Sequence, residues 1–294
     1  MIDYWRIVVI SVWLSAGVSL ALAASPASVP FQPATAGYQY IFPRDHGSHP
    51  TYRTEWWYYT GHLHAKDGRS FGFELTFFRR GIPPEDVTTL PSKWSVKDLY
   101  LAHFAVTDMH GKRFHFSEKL SREGLGKAGA DESQLRVWID DWRAEAATDV
   151  PGVHTLIAGD GTHALSLTLQ PAKPLVAHGA AGISRKGKEV GQASHYYSFT
   201  RLTTSGTLTI DGESFDVTGT SWMDHEFGSG DLGADQVGWD WFSIQLEDNS
   251  ELMLYRMRLK DGSSDLASSD TIVFSDGQSR HLKMTDFEIE STST

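Results

Sequence analysis

Short runs of alternating apolar and polar residues, separated by turns, dominate this chain. Asp67-Gly68 and Asp211-Gly212 each lie between two β-rich runs, which is a hairpin signal. No segment keeps a 3.6-residue apolar period over three turns, so no long amphipathic helix is expected. The pattern predicts an all-β chain of antiparallel barrels or sandwiches. The predicted strands cover 54–63, 70–80, 99–108, 114–120, 135–139, 142–146, 154–158, 164–171, 195–199, 207–210 and 214–218.

An internal repeat in the sequence predicts two consecutive units of this kind. The aromatic run 56–63 resembles the run 239–246, and each precedes a polar turn and an apolar strand that ends near arginine. We therefore expect one domain over residues 25–230 and a second, partial one over 231–294. A closed barrel of about eight strands needs more chain than the second range offers. The second unit is expected to be incomplete at the C-terminus.

The first 24 residues differ from the rest. Arg6 precedes an apolar run over 7–22, and Ala21-Leu22-Ala23 resembles a small-residue cleavage site. This pattern is typical of a secretory signal peptide, and the run is short for a membrane span of about 20 apolar residues. The alternative is an uncleaved anchor. We expect an exported protein, periplasmic or secreted.

The composition and the absence of certain motifs argue against several classes of function. The chain has 26 Lys and Arg against 37 Asp and Glu, without a basic run, which argues against a nucleic-acid partner. It has no cysteine, which removes thiol nucleophiles and zinc thiolate sites. No G-x-S-x-G elbow occurs. The pairs His62/His64 and His46/His49 lack a carboxylate at a recognised metal-binding spacing, so neither a metal nor another cofactor is expected.

The stretch 219–243 carries the strongest chemical signal and reads as strand, glycine-rich loop and strand. Strand alternation places Trp222, Asp224 and Glu226 on one face, with His225 on the other. Trp239 and Trp241 share a face of the next strand. Carboxylates beside indoles are costly unless something pairs with them or uses them. This stretch is therefore the predicted functional site.

Several motifs together resemble the AttH and carotenoid 1,2-hydratase family of lipocalin-like proteins, and the AttH branch most closely. They are T-E-W-W-Y-Y-T-G at 54–61, F-G-F-E-L-T-F-F-R at 71–79, L-Y-L-A-H-F-A-V-T-D at 99–108, S-H-Y-Y-S-F at 194–199, S-W-M-D-H-E-F-G-S at 221–229 and G-W-D-W-F-S-I-Q-L at 238–246. The resemblance implies two consecutive lipocalin-like, calycin-type barrels with a ligand site between or within them.

The hydratase branch adds water to an isolated double bond of an acyclic carotenoid, with aspartate as proton donor. Its D-H motif matches Asp224 and His225, and its histidine with an aromatic residue two positions later matches His195 and Tyr197. The chain departs from that branch at Trp222, where the branch has tyrosine, and at Glu226, where it has asparagine. The resemblance thus implies Asp224, His225 and His195 as catalytic residues.

The ligand would be held by Trp222, Tyr197, Trp239, Trp241 and Glu226. In this interpretation burial raises the pKa of the Asp224 carboxyl, and aromatic faces stabilise a carbocation. A histidine positions or deprotonates the attacking water.

The structural alternative is that the two carboxylates, Asp224 and Glu226, pair with Arg79, Arg256 or backbone amides while the tryptophans fill a core. Glu55 and Glu74 are likewise expected to be core ion-pair partners.

Three functions remain open from the sequence. The first is an exported protein that binds an apolar small molecule, such as an isoprenoid or lipid, in an aromatic-lined cavity. The second is a hydratase that acts on such a ligand through Asp224. The third is an accessory protein that hands lipophilic cargo to a membrane-associated transport partner. The discriminating feature is whether Asp224 faces an open cavity or a sealed core with a cationic partner.

Overall fold

The computed structural model describes residues 31–83, 96–180, 182–189 and 191–289. Within them the chain is almost entirely β-structure, which confirms the all-β expectation. The proposed signal peptide lies outside the described residues. None of the helices in the described ranges is long and apolar enough to cross a membrane.

A large antiparallel sheet forms the first unit, in the order β4-β3-β2-β1-β13-β12-β9-β8-β7-β6-β5, with β10 and β11 also paired to β12. Strand β4 lies against β5 and β6, so the sheet nearly closes into a barrel. Its strands are β1 (Thr54–Ala65), β2 (Ser70–Gly81), β3 (Asp98–Asp108), β4 (Arg113–Arg122), β5 (Ala128–Ala130), β6 (Arg136–Ile139), β7 (Trp142–Ala146), β8 (His154–Gly159), β9 (Ala164–Pro171), β10 (Val176–Ala177), β11 (Ser184–Arg185), β12 (Ala193–Ile210) and β13 (Glu213–Gly228).

Two of these strands are longer than the pattern predicted. The runs 195–199 and 207–210 belong to one strand, β12, which has an irregular register between Phe199 and Leu202. The predicted strand 214–218 continues without a break into β13, which ends at Gly228. Because β12 and β13 are long, they reach from one end of the barrel to the other and take part in both the barrel and the site.

The barrel interior is filled by the inward face of each strand. On β1 the residues Trp57, Tyr59 and Leu63 are fully buried, while the side chains between them point outward. The segment before β1 covers one end of this core with a short 3-10 helix, Arg44–His46. Its buried Asp45 and His49 bring polar groups against the core. The barrel is therefore a packed core rather than an open ligand cavity.

A second, four-stranded sheet lies outside the barrel. It consists of β14 (Gln236–Gln245), β15 (Glu251–Leu259), β16 (Ser269–Val273) and β17 (Ser279–Lys283), in that order. The loop after Gly228 connects the barrel to β14, as the strand, glycine-rich loop and strand pattern predicted. The hairpin β1–β2 contains the first copy of the aromatic repeat, and the hairpin β14–β15 contains the second.

The second sheet packs on the outer face of β12 and β13. Tyr196 and Trp222 of the barrel form a buried cluster with Met253, Tyr255 and Met257. Glu251 of β15, which is fully buried, accepts hydrogen bonds from two basic side chains of the barrel, Lys173 at 2.9 Å and Arg201 at 2.7 Å. Burying these charges requires such pairing, so the contact fixes the position of the second sheet.

Candidate functional site

A cavity of about 490 Å³ lies between the outer face of the barrel and the second sheet. Strands β1 and β2 form one wall, β12 and β13 form its floor, and β14 and β15 form the opposite wall. Most of its surface is apolar. The residues that line it include Trp56, Tyr58, Glu74, Thr76, Phe78, Arg80, Lys186, Ser194, Tyr196, Asp224, Glu226, Asp231, Trp239, Trp241, Tyr255 and Met257.

Strand register brings the two carboxylates of β13 to the floor of this cavity. Asp224 lies between Tyr58 of β1 and Ser198 of β12, and Glu226 lies between Trp56 and Tyr196. Alternation along β13 turns both acids outward from the barrel, as the sequence predicted. The cavity thus exists where outward-facing residues of the barrel are covered by a second sheet.

Asp224 is held by neutral donors. The Ser198 hydroxyl and the Trp222 indole N–H, the latter at 2.6 Å, both donate to Oδ1. Burial raises the pKa of Asp224 to about 7, and hydrogen bonds from Ser198, Trp222 and Tyr196 only partly oppose that rise. Because Oδ1 already accepts two hydrogen bonds, the proton of the neutral acid belongs on Oδ2.

A chain of buried hydrogen bonds continues behind Asp224. His178 Nε2 is 2.7 Å from Ser198 Oγ, and His178 Nδ1 is 2.9 Å from Thr271 Oγ1 of the second sheet. Since Ser198 donates to Asp224, His178 Nε2–H donates to Ser198 and Nδ1 accepts from Thr271. Burial lowers the pKa of His178 to about 3, so this imidazole stays neutral. Every hydrogen-bond donor in this series, from Thr271 through His178 to Ser198, therefore points towards Asp224.

Glu226 has a different environment, because a cation contacts it. Lys186 Nζ lies 3.1 Å from Glu226 Oε1, and the Ser194 hydroxyl donates to the same oxygen. The ammonium also lies 4.1 Å from the centroid of the Tyr255 ring. Loss of solvation opposes its charge, but Glu226 outweighs that effect and raises the pKa of Lys186. The cavity floor therefore carries one unpaired acid and one ion pair.

Some of the predicted aromatic residues line the cavity, and one of them holds the Asp224 carboxyl in place from behind. Trp239 and Trp241 line the cavity on β14. Trp222 does not line it but lies behind Asp224, with its ring edge-on to Trp241 at 6.2 Å between centroids. The Trp241 N–H donates to the Tyr196 hydroxyl at 3.1 Å. Trp222 thus orients the acid, and Trp241 and Tyr196 form the wall beside it.

The histidines and Tyr197 of the predicted site lie on the opposite face of the sheet. His225 and Tyr197 point into the barrel, where the Tyr197 hydroxyl and His225 Nδ1 are 2.9 Å apart. Register pairs Tyr197 with His225 and Ser198 with Asp224. The expectation that His225 and Tyr197 share a site with Asp224 is therefore wrong, because neighbouring residues of a strand face opposite sides.

His195 is also separated from Asp224. It pairs with Phe227 across β12 and β13, and its ring lies 4.4 Å from that of Tyr38 and 5.4 Å from that of Tyr52. Burial lowers its pKa to about 4. Its Nδ1 is buried without a hydrogen-bond partner among the described residues. The expectation that His195 handles water beside Asp224 is contradicted by this placement.

Glu55 is a core ion-pair partner, as expected. Its oxygens accept from Arg79 at 3.0 Å, from His49 at 2.7 Å and from His225 at 2.8 Å. Burial acts to raise the pKa of Glu55, but the His225 and His49 hydrogen bonds and the Arg79 charge outweigh it and hold that pKa well below its usual range. Glu74 differs from the expectation, because it lines the cavity and accepts from Thr76 at 2.9 Å.

The arginine partners named in the structural alternative for Asp224 and Glu226 are not those that the fold shows, although Glu226 does pair with a cation, Lys186, and Trp222 does lie in a buried cluster. Arg79 pairs with Glu55 and Asp98 inside the barrel, and Arg256 pairs with Asp240 at 2.6 Å. Within the described ranges, no Lys, Arg or His nitrogen lies within ion-pair distance of the Asp224 carboxyl. Sequence reasoning missed Ser198 and Lys186, which contact the acids, and His178, which contacts Ser198.

This combination of a nearly closed barrel and a covering sheet defines a lipocalin-like fold. The sequence profile of the AttH-like family matches residues 33–294. The chain belongs to the AttH-like family, as its motifs indicated.

Two solved structures are similar over most of the chain. A protein assigned to AttH from Nitrosomonas europaea is 34% identical, with a TM-score of 0.77, over 86% of this chain and 75% of the other. Kievitone hydratase from Nectria haematococca is 13% identical, with a TM-score of 0.61, over 86% of this chain and 73% of the other. The second similarity shows a shared fold alone. A search of the curated proteins finds no match.

Proposed function

We propose that this protein binds an apolar small molecule in the cavity and adds water across an isolated double bond, with Asp224 as the acid. The observation that carries the proposal is an unpaired carboxyl that faces an aromatic cavity and whose pKa is raised to about 7. A general acid works best when its pKa lies near the working pH. The name of the Nectria hydratase agrees with this reaction class.

The reaction begins with transfer of the Asp224 Oδ2 proton to one alkene carbon. The other carbon becomes a carbocation, and the faces of Tyr58, Trp241 and Tyr196 stabilise it. Loss of the proton leaves Asp224 as a carboxylate, which the donors from Ser198 and Trp222 stabilise. Neutral donors aimed at Oδ1 therefore lower the free energy of the charged product of proton transfer.

We assign the second step, the addition of water, to Glu226. Residues two apart on a strand are separated by about 7 Å, so a molecule over Asp224 leaves room for water beside Glu226. The water oxygen bonds to the cationic carbon and its proton passes to the Glu226 carboxylate, from which it returns through solvent to Asp224. The sum is alkene plus water to alcohol, without a redox change. Glu226 takes the role that the sequence had given to a histidine.

The cavity limits the size of the substrate. Sites for drug-sized ligands occupy about 300–1,000 Å³, and this one has a volume of about 490 Å³. A compact apolar molecule, or one end of a longer isoprenoid or lipid, matches that volume.

The test incubates the protein in ¹⁸O-labelled water with an acyclic isoprenoid mixture and a lipid extract, followed by mass spectrometry. A product heavier by one labelled water is expected with the natural protein. Asp224→Asn should reduce its formation at least about a hundredfold, because general acid catalysis contributes about 10²–10⁴.

Asp240→Asn is the matched control, because Asp240 pairs with Arg256 and does not line the cavity. It should leave turnover unchanged. Equal turnover in Asp224→Asn and the natural protein would refute the role of Asp224. An unmodified lipophile that co-purifies with the protein, without labelled product, would instead support binding or transfer to a membrane-associated partner.

Export remains part of the proposal, based on the charged and apolar pattern of residues 1–24. Expression with this segment should yield a periplasmic or secreted product whose N-terminus follows Ala23 or lies within a few residues of it. Intact mass measurement of the fractionated protein tests this. A full-length product in the cytoplasm would contradict it.

A further inference from the structure

A cluster of imidazoles and carboxylates lies at the far end of the barrel, at the turns of three hairpins. His115 comes from the start of β4, Asp160 and His163 from the turn between β8 and β9, and Asp211 from the turn between β12 and β13. Asp211 precedes β13, and roughly 35 Å of strand, at about 3.3 Å per residue, separates its turn from Asp224. The cluster is therefore independent of the cavity described above.

The two imidazole rings are stacked face to face. Their centroids are 3.7 Å apart and their planes differ by 5°. The donor atoms of His115, Asp160 and His163 all lie within 4.8 Å of one another. His163 Nε2 also lies 3.5 Å from Asp211 Oδ1. Three donors from two separate hairpins thus converge, and a fourth lies beside them.

The orientation of Asp160 is fixed by its own turn. Its Oδ1 accepts from the backbone N–H groups of Thr162 and His163 at 3.1 and 3.0 Å. Its Oδ2 faces His115 and accepts from the Ser117 hydroxyl at 2.8 Å. Hydrogen bonds of this kind hold a metal-ligating carboxylate in place. Oδ1 therefore accepts hydrogen bonds from the turn, and Oδ2 is directed towards the imidazole of His115.

The local charge favours a divalent cation. Around the imidazoles, Asp108, Asp160 and Asp211 supply three negative charges, and Arg113, which contacts Asp108 and Asp211, supplies one positive charge. A recess of about 180 Å³ bordered by His115, His163 and Asp211 gives an ion and water access. Two negative charges thus remain to be balanced.

We propose that His115, Asp160 and His163 form a site for a divalent transition-metal ion of the zinc class, with Asp211 as a fourth ligand. Imidazole and carboxylate donors suit zinc, cobalt and nickel, and bind zinc at about 2.0–2.2 Å. Donors on one such ion are roughly 3–3.5 Å apart, so the donor atoms must draw together from as much as 4.8 Å, and the stacked rings must rotate until both nitrogen lone pairs, which lie in the ring planes, point at one ion. The ion would connect the β3–β4, β8–β9 and β12–β13 hairpins and close this end of the barrel.

The buried group His49, Glu55 and His225 is not an equivalent site. Its donor atoms also lie close together, but Glu55 already accepts from the fully buried guanidinium of Arg79. A cation there would compete with a buried guanidinium. The hairpin cluster has its own arginine, Arg113, which lines the same recess and contacts Asp211, but its side chain is exposed and contacts no imidazole nitrogen in the described structure.

The test titrates untagged, metal-free full chain with Zn²⁺ by calorimetry, and with Co²⁺ by visible absorption. We expect one equivalent bound with micromolar or tighter affinity, and a cobalt spectrum typical of nitrogen and oxygen ligands. His163→Ala and Asp160→Asn should each weaken binding at least about tenfold, the range seen even for outer-sphere changes. Asp160→Asn keeps the Oδ1 acceptor of the turn and so guards against misfolding.

The double variant His62→Ala/His64→Ala is the matched control, because these exposed histidines share a strand face and offer the alternative surface site. It should bind as the natural protein does. Zn²⁺ should also raise the melting temperature of the natural protein but not that of His163→Ala. Absence of binding, or binding lost in the control and kept in His163→Ala, would overturn the proposal. Hydration by Asp224 would stand in either case.

Discussion

The raised pKa of Asp224 predicts a pH-dependent stability that can be measured without a substrate. The carboxyl has an ordinary pKa of 3.8 and a folded-state pKa of about 7. Between these values the folded protein holds a proton that the unfolded chain has released. The free energy of unfolding should therefore fall as pH rises, by about 1.4 kcal/mol per pH unit.

The full effect follows from the difference between the two pKa values. It amounts to about 4 kcal/mol, fully present below pH 3.8 and lost by the time the pH has risen through 7. Over the practical interval from about pH 5 to about pH 9, the same relation gives a loss of about 3 kcal/mol. Other groups titrate in parallel, among them Asp270, whose pKa burial raises to about 8. A comparison with a variant is therefore required.

Asp224→Asn provides that comparison, because an amide keeps the acceptor for Ser198 and Trp222 and cannot ionise. Urea unfolding of both proteins should show the natural protein losing about 3 kcal/mol relative to the variant between about pH 5 and pH 9. The variant should be the more stable of the two at alkaline pH. A stability difference that is flat across this interval would refute a buried, neutral Asp224, and with it the proposed acid.

Three further predictions concern the framework around the site. Glu55→Gln should lower the free energy of unfolding by about 3–5 kcal/mol in urea, because it removes the buried carboxylate that Arg79, His49 and His225 share, although Arg79 keeps its contact with Asp98; unchanged stability would contradict the network. Gly219→Ala should lower the melting temperature measured by circular dichroism, because the added Cβ would lie 1.9 Å from the His62 carbonyl oxygen; an unchanged melt would show that β1 and β13 can separate there. Glu251→Gln should loosen the second sheet and expose Trp241, seen as a red-shifted tryptophan emission; an unshifted spectrum would argue that the apolar contacts suffice.

Strand alternation made part of the site readable from sequence. The two-residue period placed Trp222, Asp224 and Glu226 on one face of β13, and the structure confirms it. The hairpins and the glycine-rich loop before β14 were also predictable, since turn residues mark them. These features depend on contacts between near neighbours in the chain.

The register between strands that are distant in the chain could not be predicted from the sequence in the same way. The register of β12 against β13 decides that Ser198 and Tyr196 share the face of Asp224, whereas Tyr197 and His195 face away. A shift of one residue would reverse that choice, and no local pattern sets it. His178 and Lys186 come from segments with short strands, so nothing in their periodicity pointed to the cavity.

The floor of the cavity and its outer wall differ in how firmly the rest of the fold fixes them, and this bears on the ligand site that we propose. The acid and its donors stand on β12 and β13, whose other face is committed to the barrel core, so few substitutions there leave the fold intact. Trp239 and Trp241 stand on a separate sheet, held by a small apolar cluster and a few ion pairs. Substitutions in the outer sheet can therefore reshape the proposed ligand site while Asp224, the proposed proton donor, stays in place.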